Sequence, residues 1–201
     1  MLFKKDVSLI LFYCFSISAL FFIDNGHPFM EAGLKLASIL SLSWFYFKNT
    51  SCINCWYVGI LIASCFSSTF LVFDPMFLEL GTYLLLLNRL LYIIISRKAL
   101  LIINRKRILI PLALFLIPVI IIFPELKSYL GHLSLTILLI GITSAIMASF
   151  AFINYLEVMN KENQYFLGGV FLFVIADILI AYNKFVSYNI SIVVFYTSSY
   201  F

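Results

Sequence analysis

Long apolar runs, separated by short clusters of polar and charged residues, occupy nearly the whole chain. A helix rises about 1.5 Å per residue, so about 20 apolar residues cross a hydrocarbon core about 30 Å thick. On that rule the pattern predicts spans near residues 7–23, 31–48, 54–73, 77–96, 107–123, 130–155, 165–184 and 189–201. The expected fold is therefore all-α: a polytopic transmembrane bundle of about eight helices, forming a single integral membrane domain over residues 1–201. The last run is short. About 13 residues reach only about 20 Å, which points to a chain that stops inside its final helix.

Composition strengthens this expectation. Of the 201 residues, 64% are hydrophobic and 11% charged, and the mean hydropathy is +1.10. Side chains in that proportion suit lipid as the solvent, and no soluble domain is expected. Lys4 and Lys5 precede an apolar run as in a signal peptide, but the run ends in Phe21, Phe22, Ile23 and Asp24 with no small-residue cleavage site. It is expected to be the first membrane helix. No internal repeat or low-complexity segment interrupts the pattern.

Charge sets an expected orientation. With the N-terminus cytoplasmic, the cytoplasmic segments hold Lys4, Lys5, Lys48, Arg97, Lys98, Arg105, Lys106, Arg107 and Lys161. The opposite loops hold Lys127 and Lys184, with Lys35 just inside the second helix. Basic residues concentrate on the cytoplasmic side of membrane proteins, so the net charge of +4 reads as a topology signal and not as a nucleic-acid footprint. The basic segment Arg97–Arg107 could also attract anionic headgroups.

Cys52 and Cys55 have CxxC spacing, which can hold a metal or a redox disulfide. One pair supplies two ligands only, and neither His27 nor His132 lies nearby in sequence. The expected cytoplasmic side also keeps thiols reduced. The four cysteines read as incidental, and no metal or cofactor is expected.

Two charges fall inside predicted spans: Arg89 in the fourth and Asp177 in the seventh. Ionisable groups at membrane depth are rare, face the bundle interior and pair with one another. The two backbones differ in expected depth by about 7 Å, which an arginine side chain can cover. One outcome is a buried ion pair that fixes helix register. The other is a polar intramembrane pocket in which Asp177 handles protons or substrate.

The surrounding residues carry a resemblance. The seventh span is similar to the C-terminal signature of the lysoplasmalogenase-like (YhhN-type) family of multispan membrane proteins, roughly Gly-Ala-x-Leu-Phe-x-x-Ser-Asp-x-x-Leu-Ala-x-Asn-x-Phe. Gly169, Leu172, Phe173, Asp177, Ala181, Asn183 and Phe185 fall in register, while Val170, Ala176 and Ile180 depart from it. In the fourth span Gly81 and Tyr92 match the family's glycine and tyrosine, and Arg89 stands at its histidine position. Lys35-Leu36-Ala37 is similar to the Lys-Pro-Leu that opens the family's second helix.

The resemblance implies hydrolysis of the vinyl ether bond of a lysoplasmalogen, a lysophospholipid, to a fatty aldehyde and a glycerophospho-alcohol, with no cofactor and in a bacterial inner membrane. It assigns catalysis to two carboxylates, one able to act as acid and the other to stabilise charge or activate water. Asp177 is the first. The second belongs in the third helix, where this chain reads Ala63-Ser64-Cys65-Phe66-Ser67-Ser68, with Ser68 at the aspartate position. Asp74 is the nearest acid, but six residues of helix span about 9 Å.

Three functions stand against one another: a membrane ether-lipid hydrolase with Asp177 central; a non-catalytic relative in which Arg89 and Asp177 are structural; and a small transporter using the same charges. Pro111 and Pro118 interrupt one span without a counterpart in a related half, which counts against the transporter. Asn88, Tyr92, Asn183 and the polar residues from Ser64 to Thr69 could line a pocket in any of the three, or bond helix to helix.

Overall fold

Residues 6–23, 27–73, 76–99, 105–186, 189 and 191 are described by the computed structural model of the protein. Among them lie seven α-helices: α1 (Val7–Phe21), α2 (Pro28–Asn49), α3 (Cys55–Val72), α4 (Leu78–Ala99), α5 (Arg105–Leu130), α6 (Ser134–Glu157) and α7 (Lys161–Phe185). A single 3₁₀ turn, Gly131–Leu133, joins α5 to α6, and no strand occurs among the described residues. The fold class is all-α as expected.

The helix count and some boundaries differ from the sequence expectation. Among the described residues four stretches are long and apolar enough to cross a membrane: Cys55–Val72, Leu78–Lys98, the 51-residue run Arg107–Glu157 that holds α5 and α6, and Lys161–Asn183. They mark an integral membrane protein. α1 is apolar but has only 15 residues, about 22 Å, short of the hydrocarbon thickness. α2 carries Glu31, Lys35 and Lys48 and falls outside the four. The expected span 189–201 lies outside the described residues apart from 189 and 191. Lys127, expected in a loop, sits in the last turns of α5. Pro111, Pro118 and Pro124 all lie inside that helix, and the chain turns later, at Gly131, whose φ of 51° suits glycine.

The chain forms two compact units, with the boundary between Asn88 and Arg89 inside α4. In the first, α2 packs against α1 and α3. α1 buries Ser8, Phe12, Ser16 and Ala19, spaced to share one helical face, and exposes Val7, Ile10, Tyr13, Ile17 and Phe21. Apart from Phe12, the large apolar side chains named point outward and the small ones inward. That inversion of a soluble helix is what lipid favours, since small residues let helices approach closely. Ser16 and Ser38 share a buried hydrogen bond of 2.8 Å between α1 and α2. At the helix ends Asp6 caps α1, accepting from Ser8, and also accepts from Lys48 Nζ at 3.1 Å and Asn49 Nδ2 at 3.2 Å at the end of α2.

The second unit is built around α6, which packs on α5 and α7. Met147, Ala148, Ala151 and Val170 form its buried core, with Tyr92, Ile93, Phe115, Phe166 and Phe173 packed around them. Gly141 admits Val119 of α5: a Cβ there would lie 3.0 Å from Val119 Cγ1. Several hydroxyls among the described residues bond their own helix, Thr143 on the Leu139 and Ile140 carbonyls and Ser149 on Ala145. This keeps them off lipid and leaves the helix surfaces free for packing.

Candidate functional site

α4 presents Arg89 and Tyr92 three residues apart, and α7 presents Phe173 and Asp177 four residues apart, spacings that place each pair on one helical face. The two faces meet in the second unit. Arg89 Nε donates to Asp177 Oδ2 at 2.8 Å and Nη2 donates to Oδ1 at 2.5 Å. The planar guanidinium fork matches the two carboxylate oxygens, a geometry that lysine or histidine cannot supply. Its carbon also lies 4.9 Å from the Phe173 ring centroid, and Tyr92 packs on that same ring at 5.5 Å. Cation and aromatic face attract, more so where water is excluded.

Water is indeed scarce here. The Arg89 side chain is wholly buried and that of Asp177 is 7% exposed. A third helix joins: Ser144 of α6, also buried, donates its hydroxyl to Asp177 Oδ2 at 2.8 Å. Among the contacts described, Asp177 accepts three hydrogen bonds, from α4 and α6, on its two oxygens. Such a set holds the carboxyl in one orientation.

The remaining candidates from sequence are distributed differently. Asn183 is buried near the end of α7, and its Oδ1 accepts from the Asn189 amide at 2.6 Å, so it serves the helix end. Asn88 belongs to the first unit, where its Nδ2 donates to Ser64 Oγ at 2.9 Å. Its buried Oδ1 meets no donor among the described residues. Ser68, also in the first unit, gives its hydroxyl to the Cys65 carbonyl of its own helix at 3.1 Å. Asp74 lies outside the described residues. Cys52 and Cys55 are free and exposed, and no group of three His, Cys, Asp or Glu side chains among the described residues is placed to hold a metal.

Sequence reasoning missed Ser144. A lone serine in a membrane helix carries no distinctive signal, because its ordinary use is a bond to the carbonyl one turn back. It missed also the Asn154–Ser96 contact, in which Asn154 Nδ2 of α6 donates to the Ser96 carbonyl of α4 at 3.1 Å. Asn163 adds bonds to the Asn154 and Val158 carbonyls, satisfying the C-terminal end of α6. These contacts fix helices around the Arg89–Asp177 pair without touching it.

Comparison with known proteins gives one match. The model of the YhhN family matches residues 30–201, which include α2 to α7 from Met30 onward and every residue of the site. No curated protein and no solved structure matches the chain.

Proposed function

The chain belongs to the YhhN family, and from that premise we propose that it is a membrane hydrolase cleaving the vinyl ether bond of lysoplasmalogens. The observation that carries the proposal is Asp177, a carboxylate buried in an apolar bundle and oriented by Arg89 and Ser144. One carboxyl group can run the whole cycle. As the acid it delivers its proton to the β-carbon of the enol ether, and the C=C electron pair forms the new C–H bond. The resulting oxocarbenium ion is stabilised by the carboxylate left behind, which then takes a proton from the attacking water. The hemiacetal so formed collapses to fatty aldehyde and glycerophospho-alcohol, and Asp177 is again protonated. One water is consumed and no cofactor is needed.

A second function has its own support. The bidentate Arg89 contact satisfies Asp177 without any substrate, which favours a non-catalytic relative whose ion pair holds α4 against α7. Ser68, at the place of the family's other aspartate, adds to this, since its hydroxyl is engaged by its own helix. Aldehyde release from a lysoplasmalogen by the purified protein separates the two. The proposal also places the protein in a bacterial inner membrane with a cytoplasmic N-terminus, on the strength of the basic residues Arg97 and Lys98 at the end of α4 and Arg107 at the start of α5.

A further inference from the structure

We propose that Ser144 is a positioning residue that holds Asp177 in both of its protonation states, a role resting on the hydrolase function above. Two side chains that bond Asp177, Arg89 and Ser144, differ in kind. Arg89 carries five N–H donors and no acceptor, so it can hold only oxygens that accept. Ser144 Oγ, 2.8 Å from Oδ2, has one donor and two lone pairs, and its hydrogen turns about the Cβ–Oγ bond. Beside the carboxylate it donates. Beside the carboxylic acid it accepts the new Oδ2–H, and its own hydrogen turns away from Oδ2 about the Cβ–Oγ bond. No heavy atom has to move, so the carboxyl keeps its place through a proton cycle.

The setting fits the role. Ser144 is 2% exposed and stands on α6, whose neighbouring residues are buried from Thr143 to Ala145. Its neighbour Thr143 and the more distant Ser149 give their hydroxyls to their own helix, whereas Ser144 reaches across to α7. Arg89 of α4 brings a charged group against Asp177, and the bond from Ser144 fixes the carboxyl that a substrate or a water would meet.

Infrared titration of the full chain in lipid nanodiscs tests this. The protonated-carboxyl band of Asp177 is identified by its loss in Asp177→Asn. In Ser144→Ala the band is expected to move to the frequency of a carboxyl that donates no hydrogen bond. Ser144→Thr, which keeps the hydroxyl, is expected to restore the wild-type band. Aldehyde release should follow the same order, falling in the Ala variant and recovering in the Thr variant. An unchanged band in Ser144→Ala overturns the proposal. So does a folded Thr variant as altered as Ala. A wild type with no such band at any pH overturns it as well. If the band behaves as expected but no aldehyde appears, the hydrolase function fails and the positioning of Asp177 stands.

Discussion

Arg89 lays two of its nitrogens on Asp177, joining residues 88 positions apart in the chain within a wholly buried contact. Neither charge can be left alone at that depth. Replacing Arg89 by Met should destabilise the protein by about 3–5 kcal/mol, and Asp177→Leu by a similar amount, because each leaves an uncompensated buried charge. The double variant should recover most of that loss. Thermal or denaturant unfolding in detergent, read as a double-mutant cycle, measures it. Additive losses would mean that the two groups do not depend on each other.

Much of this site was legible before any coordinates. Arg89 and Asp177 stand out because charge is costly in lipid, and the similar depth of the two follows from counting rise along the helices. Ser144 was not legible, since nothing in a sequence tells a serine that bonds its own helix from one that turns to a neighbour. The helices were read well where an apolar run is about the length of a span, as in α3, α4 and α7. The predicted span stopped at residue 123, where the apolar run gives way to Pro124, Glu125 and Lys127, and so ended short of α5. Here the helix continues through them to Gly131, where a positive φ makes the turn. α2 was read as a span from its length, although Glu31 and Lys35, paired at 2.6 Å, lower its hydropathy.

Two glycines of the resemblance should respond in opposite ways to alanine. A Cβ on Gly81 would lie 3.0 Å from Leu71 Cγ and Cδ2 and 3.3 Å from the Leu71 backbone nitrogen, so Gly81→Ala crowds α3 and should cost about 1–3 kcal/mol. Nothing lies within 4 Å of a Cβ on Gly169, and alanine there should stabilise the helix by up to about 1 kcal/mol. Melting temperatures of the two variants check the contrast. Equal effects would show that the close approach at Gly81 is not what that position requires.

Acid should loosen the first two helices in a defined window. The Asp6 carboxyl is held at about 2, below its ordinary 3.8, first by the Asn49 amide and then by Ser8 and Lys48. A depressed carboxyl stabilises the fold above its unfolded value and loses that contribution as pH falls through its folded value. The contribution of Asp6 is thus constant from neutral pH down to about 4 and disappears toward about 2. Melting temperature measured against pH should fall more steeply in wild type than in Asp6→Asn over that interval. Parallel curves would remove Asp6 as the cause.

Cysteine labelling tests the orientation. With the four native cysteines replaced, single cysteines introduced between residues 98 and 106 should react only from the cytoplasmic side. Single cysteines at Gly131 or His132, in the turn between α5 and α6, should react only from the opposite side. Labelling of both sets from one face would contradict the assignment drawn from the basic residues.

Aldehyde release is the most direct test of Asp177 as the proton-handling group of a lysoplasmalogen hydrolase. Wild-type protein in lipid should liberate fatty aldehyde from a lysoplasmalogen above a protein-free background. A folded Asp177→Asn variant, which keeps size and polarity but carries no carboxyl proton, should release it about 10²–10⁴-fold more slowly. Ser68→Asp, which returns a second carboxylate to the third helix, should raise the rate. No release by the wild type, or undiminished release by Asp177→Asn, contradicts the account and leaves Arg89 and Asp177 as a clamp between two helices.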